Sequence, residues 1–192
     1  MTKIHTGDTV KVMDERLGLC KWGAQLWTRE LAREIRTELE KMMDRLPGGG
    51  VAIIDAKGVE VFDYSFANEL FGKSLLALPG EYAQRFLIVE NLTGYTRENL
   101  SRALESLNLA MIERKAGKLQ LIGKVHPSDQ ATFSIIANAS EPVTATFLKD
   151  RLGINVTAVN ERLSKLTALA LVRRHAGVSP AGRQQYLYSV LS

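Results

Sequence analysis

The chain has 192 residues, of which 45% are hydrophobic and 24% are charged, and its formal net charge is +4. This composition is typical of a globular protein, and no run approaches the roughly 18 apolar residues that cross a bilayer. Cys20 is the only cysteine, which excludes an internal disulfide and favours a reducing compartment. Because the N-terminus lacks the apolar core of a signal peptide, we expect a cytoplasmic protein without membrane contact.

Positive charge is concentrated in the last third of the chain. Residues 127–192 contain 7 Lys and Arg against 4 Asp and Glu, a net of +3. Residues 1–126 contain 18 against 17, a net of +1. A local excess of cations is typical of a unit that contacts a phosphate backbone.

The first elements are a hairpin and a helix. Residues 3–15 alternate around a Gly-Asp pair and predict a short hairpin. Apolar residues at three- and four-residue steps then predict a helix, with Thr28 as its N-cap and Pro47 at its end. The three glycines at residues 48–50 allow a phosphate-binding loop, but we favour a plain turn between helix and strand.

Strands and helices alternate over the next stretch. Five β-prone runs predict strands at residues 51–54, 59–62, 85–90, 109–114 and 118–125. The first run is apolar throughout, which indicates a strand covered on both faces. Two helices are predicted between the runs, with Ser65 and Thr96 as N-caps and with Pro79 and Gly80 ending the first. Together these elements predict a mixed α/β sheet covered by helices over residues 1–126.

This part of the chain resembles a known family. The letters VAIIDAKGVEVFDYSFANELFGK, with WTRELAREIRTEL before them and LQLIGKV after them, resemble the STAS-like domains, relatives of the anti-sigma-factor antagonists. The resemblance implies a protein-binding switch without catalysis. In better-known relatives, a serine at the start of the helix is phosphorylated by a partner kinase. The matching turn here is Asp63-Tyr64-Ser65, without the following glycine of those relatives.

Two alignments of that turn remain open. Alignment on the aspartate places the phosphorylated position at Tyr64, and alignment on the helix start places it at Ser65. A phosphate on Ser65 would lie at a helix N-terminus, which favours anions, and would change the charge of a partner-binding surface. The simpler alternative is that Ser65 is only an N-cap. We therefore treat Asp63, Tyr64 and Ser65 as a candidate phosphorylation or partner site.

Other apparent motifs do not predict a ligand. ANELFGKS matches a relaxed Walker A pattern, but its helical periodicity keeps its amides bonded within a helix. His5, His126 and His175 stand far apart without paired cysteines or carboxylates, so we expect no metal. We also expect no cofactor and no enzyme activity, because no constellation of acid, base and nucleophile is present.

The C-terminal third predicts helices followed by a hairpin. TATFLKDRLG predicts a short helix that ends at Gly153, and a second helix restarts with Asn155 as its N-cap. Two β-prone runs at residues 171–175 and 184–190 then flank a segment with two Gly and one Pro, which predicts a hairpin.

The second helix has one polar face that suits base recognition. Its small polar side chains can donate and accept hydrogen bonds in a major groove: Thr157, Asn160, Glu161, Ser164 and Lys165. The hairpin carries arginines that can neutralise phosphates: Arg173, Arg174 and Arg183. The order of helix, turn, helix and basic hairpin resembles the winged helix-turn-helix of bacterial transcription regulators, over about residues 128–192.

We therefore expect a transcriptional regulator that binds double-stranded DNA. It would combine a STAS-like sensory or interaction domain over residues 1–126 with a winged helix-turn-helix domain over residues 127–192. By analogy with other winged-helix regulators we expect a homodimer. The alternative is a partner-switching adaptor, in which the winged helix makes protein contacts and a kinase-like ATPase phosphorylates Ser65.

Overall fold

The structure, a computed structural model, alternates strands and helices and describes residues 13–82, 84–179 and 181–190. Its strands are β1 (Asp14–Gly18), β2 (Gln25–Leu26), β3 (Val51–Asp55), β4 (Val61–Phe62), β5 (Phe86–Glu90), β6 (Ala110–Lys115), β7 (Lys118–Gly123), β8 (Val143–Thr144), β9 (Arg173–Val178) and β10 (Gln184–Ser189). Its helices are α1 (Arg29–Arg45), α2 (Tyr64–Ala67), α3 (Lys73–Glu81), α4 (Gly94–Ser106), α5 (Pro127–Ala137), α6 (Ala145–Leu152) and α7 (Val156–Ala168). A π-helical turn, Asn68–Gly72, joins α2 to α3.

A five-stranded sheet with the order β1-β3-β5-β6-β7 forms the centre of the molecule. The first four strands are parallel, and β7 returns antiparallel to β6. The turn between them places Ala116 and Gly117 at φ angles of 49° and 77°, the left-handed region that suits a tight hairpin. The predicted mixed α/β sheet covered by helices is therefore confirmed.

Helices α1 to α4 cover one face of this sheet. Strands β1, β3, β5 and β6 follow one another across the sheet in chain order, so every crossover runs in the same direction. Right-handed crossovers that run one way place all their helices on the same side. Ile35 and Leu39 of α1 are buried in one apolar cluster with Ile54 and Val89 of the sheet and Leu100 of α4. The crossovers leave the opposite face without helices.

The C-terminal segment covers the opposite face. On that face, the apolar side chains are at most 4% exposed: Val51, Ile53, Phe86, Ile88, Ala110 and Ile112. They share a second apolar cluster with Phe133 of α5 and with Leu163 and Leu166 of α7. The segment itself consists of α5 to α7 and a three-stranded antiparallel sheet with the order β8-β10-β9. It is packed on the central sheet rather than tethered to it.

Two predicted N-caps are displaced by two and three residues. Asp63, not Ser65, caps α2, because its Oδ1 accepts a hydrogen bond from the Phe66 amide at 2.7 Å. Thr93, not Thr96, caps α4, and its hydroxyl accepts from the Thr96 amide at 3.1 Å. In both cases an earlier side chain of cap type lies three residues before the amide that it satisfies. The predicted cap of α1 at Thr28 is confirmed.

Two further predictions differ from the structure or fall outside it. The helix predicted to end at Pro79 and Gly80 continues to Glu81, with Pro79 inside α3. Leu78 and Tyr82 on this last turn are buried in the apolar cluster, which offsets the loss of one backbone hydrogen bond. Most of the hairpin predicted for residues 3–15 lies outside the described residues, and residues 14–18 form β1, parallel to β3.

A buried carboxylate in the π-helical turn forms ion pairs with α1. Glu69 is 2% exposed, and its Oε2 lies 2.7 Å from Nζ of Lys73. Its Oε1 lies within 4 Å of guanidinium nitrogens of Arg33 and Arg36, at 3.7 and 3.5 Å. Burial raises the pKa of Glu69, but the hydrogen bond from Lys73 and the charges of the two arginines outweigh it and hold the pKa below its usual value.

We expect the two apolar clusters to unfold together. Ile88→Ala removes a fully buried side chain that faces the C-terminal segment. It should lower the free energy of unfolding by about 2–5 kcal/mol and reduce hydrogen-exchange protection in α7 as well as in β5. Leu76→Ala, at a side chain that is 57% exposed, is the control and should change stability by less than about 0.5 kcal/mol. Unaltered protection of α7 would contradict this coupling.

We expect the Glu69 cluster to stabilise the fold in a pH-dependent way. Glu69→Gln should lower the free energy of unfolding by about 1–3 kcal/mol at neutral pH, since the cations lose their partner. A carboxyl with a depressed pKa contributes stability above its unfolded pKa of about 4.3 and loses it as pH falls through the folded value. The difference between the two proteins should therefore shrink in urea titrations below about pH 4. Glu98→Gln, in an exposed pair with Arg102, is the control and should differ little from wild type.

Candidate nucleic-acid interface

Two short helices meet at a tight turn in the C-terminal segment. Thr144 caps α6 by accepting from the Phe147 amide at 3.1 Å. Gly153 ends that helix at a φ of 65°, the left-handed conformation that glycine adopts without strain. Asn155 caps α7, since its Oδ1 accepts from the Ala158 amide at 2.8 Å. The predicted helix, turn and second helix are confirmed.

The polar face of α7 points away from the molecule. The five residues predicted to contact bases are all exposed: Thr157, Asn160, Glu161, Ser164 and Lys165. On the opposite side, Val159, Leu163 and Leu166 are at most 1% exposed and belong to the second apolar cluster. Because the packing of the C-terminal segment on the sheet uses the apolar side, the polar side stays accessible to a macromolecule.

Two cations of α7 attach the helix to α5. The Nζ of Lys165 lies 2.5 Å from the Oδ2 of Asp129, whose side chain is 8% exposed. The guanidinium of Arg162 reaches the carbonyl of Ser128 at 3.3 Å and the hydroxyl of Thr132 at 3.4 Å. Sequence reasoning did not single out Arg162, because its role depends on α5 lying beside α7. Asp129 neutralises part of the charge that Lys165 offers to a phosphate.

Arg174 lies near the base of the hairpin, as the second residue of β9, and Arg183 lies at its turn. Both side chains are exposed. The guanidinium carbon of Arg174 is 4.7 Å from the ring centroid of Tyr186, a cation–π distance. Arg183 lies at the turn, where its carbonyl accepts from the Ser179 amide at 2.8 Å. Tyr186 stays 55% exposed, so the hairpin presents an aromatic ring beside the Arg174 cation.

Arg173 has different surroundings from those predicted for it. Its side chain is half-buried, and its guanidinium carbon lies 4.6 Å from the ring centroid of Phe86 in the central sheet. It donates a hydrogen bond to the carbonyl of Gly49. Strand residues alternate in direction, so Arg173 points towards the sheet while Arg174 lies on the other face of the hairpin, where it is exposed. We therefore leave Arg173 out of the candidate nucleic-acid interface.

The candidate phosphorylation site lies at the N-terminus of α2. Tyr64 is 40% exposed, and its hydroxyl oxygen is 2.8 Å from Oγ of Ser106 on α4. Ser65 is partly exposed within the first turn of the helix. Asp63 uses its carboxylate as the cap, so Ser65 has no capping role. Phosphorylation of either hydroxyl stays a prediction.

Comparisons with known proteins give no relative. No protein-family model, curated protein or solved structure matches the chain at a significant level. Over the ranges that the structure describes, every helix is too short or too polar to span a membrane. The same ranges contain no group of three or more His, Cys, Asp or Glu side chains placed to hold a metal ion.

Proposed function

We propose that this protein is a transcriptional regulator that binds double-stranded DNA through a winged helix-turn-helix formed by residues 127–192. The observation that carries the proposal is the exposed polar face of α7, which carries few of the Glu–Lys pairs that are common on solvated helices. In chain order, α5, β8, α6, α7 and the β9–β10 hairpin also match the helix, turn, helix and hairpin of such domains. Residues 1–126 would act as a STAS-like sensory or interaction domain.

In this proposal, the two surfaces have different tasks. Thr157, Asn160 and Ser164 of α7 would contact base edges, because side chains of this kind hydrogen-bond in the major groove. Arg174 and Arg183 on the hairpin would contact phosphates, which supply affinity without sequence preference. The apolar side of α7 anchors the helix, which fixes the direction of its polar side chains.

DNA binding is tested directly by fluorescence anisotropy. A labelled random-sequence duplex, titrated with the full chain across a range of sodium chloride concentrations, should bind with an affinity that falls steeply as salt rises. Selection of enriched duplexes from the random pool then supplies the preferred sequence. Absence of binding at low salt would refute the proposal and favour protein contacts for α7.

We expect the hairpin arginines to control affinity for every DNA sequence. Arg174→Ala combined with Arg183→Ala should weaken binding uniformly and reduce the slope of log affinity against log salt by about two. The matched control replaces two exposed arginines of residues 1–126, here called the first unit, by alanine: Arg29 and Arg102. It should leave the slope unchanged. An equal effect of both double variants would indicate net charge rather than a hairpin contact.

We expect Asn160 to control sequence preference instead. Asn160→Ala should weaken binding to the selected duplex by about 1–3 kcal/mol and leave binding to the random duplex almost unchanged. The salt slope should stay the same, because no phosphate contact is lost. Competition between the two duplexes measures the ratio of the affinity for the selected sequence to the affinity for the random sequence. A parallel loss on both duplexes would contradict a role in base recognition.

The partner-switching alternative makes a separate prediction at the first unit. A kinase-like ATPase partner would incorporate phosphate at Tyr64 or Ser65, and peptide mass spectrometry would identify the position. Ser65→Glu would then abolish capture of that partner, because it places a negative charge on the binding surface. The two functions are compatible if partner binding at the first unit controls DNA binding at the second.

A further inference from the structure

A cleft lies where the C-terminal segment meets the central sheet. Its volume is about 500 Å³, within the usual range for small-molecule sites. The glycines at residues 48–50 and Phe86 line it from the first unit, and Thr167, Val172 and Arg173 line it from the C-terminal segment. A ligand in the cleft would therefore contact both units at once.

The guanidinium of Arg173 in this cleft is incompletely satisfied. One of its terminal nitrogens donates to the Gly49 carbonyl, and Phe86 covers its face. Its Nε is buried and has no hydrogen-bond partner within the described ranges. The hydroxyl of Thr167, which also lines the cleft, is buried and equally without a partner. Buried polar groups of folded proteins are normally hydrogen-bonded, so two unpartnered polar atoms beside one cleft mark it as a candidate ligand site.

Among the residues that the structure describes, the charge of Arg173 also lacks a close counter-charge. No carboxylate of the described residues lies within 4 Å of its guanidinium. Burial lowers the pKa of Arg173, and the more distant charge of Asp14 opposes this only in part. Partial burial of a cation without a nearby anion is unfavourable, and a bound anion would offset that cost.

We propose that this cleft binds a small molecule that carries a carboxylate or phosphate group. The anionic oxygens would accept from the guanidinium of Arg173, in the charge-assisted geometry that guanidinium favours. Rotation of the two side chains towards the cleft would bring the Nε of Arg173 and the hydroxyl of Thr167 to the same ligand. The rest of the ligand would lie against Phe86 and Val172, which gives the cleft an apolar wall. The inference concerns ligand binding and does not depend on DNA recognition by α7.

The glycine turn contributes space rather than an amide cradle. The amide of Gly49 donates to the Gln84 carbonyl at 2.8 Å, and that of Gly50 donates to the Pro47 carbonyl at 2.9 Å. These two amides are therefore engaged, in agreement with the turn predicted from the sequence. Gly49 has a φ of 86°, and a Cβ there would lie 3.8 Å from the guanidinium carbon of Arg173. A side chain at this position would be strained and would stand beside the cation.

A ligand in the cleft would stabilise the packing of the two units on each other. Thr167 lies in the last turn of α7, and Arg173 begins the hairpin strand β9. Gly49 and Phe86 belong to the first unit. A ligand that binds all of them stabilises the packed arrangement of the two units by mass action, because it binds only when they are together.

The test is thermal unfolding of the full chain with simple anions as probes. Sodium phosphate and sodium benzoate are titrated separately against sodium chloride of equal ionic strength. At least one of the two should raise the unfolding temperature along a saturable curve. Arg173→Gln should weaken that response at least about tenfold, because a charge-assisted hydrogen bond is lost. Arg102→Gln, an exposed arginine of α4, should keep the wild-type response.

Thr167→Val provides a test that leaves the charge unchanged. It removes one hydroxyl at nearly constant volume and should weaken the response severalfold, and it carries the test if Arg173→Gln does not fold. In the wild type, titration should shift the amide resonances of residues 48–50 more than those of α4. A response to phosphate but not benzoate assigns a phosphate ligand, and the reverse assigns a carboxylate.

Three results would overturn the proposal. The first is the absence of a saturable response to either anion, and the second is a response that Arg173→Gln and Thr167→Val both retain. The third concerns Asp8, an acidic residue near the start of the chain. If anions bind only to the Asp8→Asn variant, the carboxylate of Asp8 is the counter-charge of Arg173 in the wild type, and the cleft needs no separate anionic ligand. Failure of DNA binding with an intact anion response would affect only the transcriptional proposal.

Discussion

The structure depends on covering the second face of its parallel sheet. Successive right-handed crossovers in one direction place α1 to α4 on one side, and they leave Val51, Ile53, Phe86 and Ile88 without helical cover. Parallel sheets are stable only when both faces are buried, so the C-terminal segment has to dock there. The resulting apolar cluster extends from β3 and β5 to the inner faces of α5, α6 and α7. The chain is therefore organised as two units with a shared core.

Because the C-terminal segment docks on the sheet, some of its cations are paired or point inwards and others are exposed. The segment has a net charge of +3, but only part of it faces outwards. Lys165 is paired with Asp129, Arg162 bridges to α5, and Arg173 points into the junction. Arg174 and Arg183 remain exposed on the hairpin. The position of these two arginines, more than the total charge, supports contact with a polyanion.

The first unit uses its buried charges to position its elements. Glu69 joins the π-helical turn to α1 through Arg33 and Arg36, and Glu113 of β6 joins to Arg97 of α4. Buried ion pairs of this kind give little net stability but are costly to break singly, so they fix one arrangement of helix and sheet. Tyr64, at the start of α2, stays exposed on this part of the molecule.

The sequence by itself determined the elements that depend on neighbouring residues. The helix from Thr28, the strand at residues 51–54, and the pair of helices around Gly153 and Asn155 follow from periodicity and capping, which are local properties. The caps predicted at Ser65 and Thr96 were wrong because each helix begins earlier, at a preceding side chain that can also act as a cap, Asp63 or Thr93.

Only the tertiary structure decided which arginine faces which surface. Arg173 and Arg174 are adjacent and chemically alike, and strand alternation directs one inwards and the other outwards once the docked face is known. The cleft joins Arg173 to Gly49 across 124 positions, and no local pattern reports a contact of that range. Its existence follows from the packing of two units on one sheet, since burial on that face depends on residues distant in the chain.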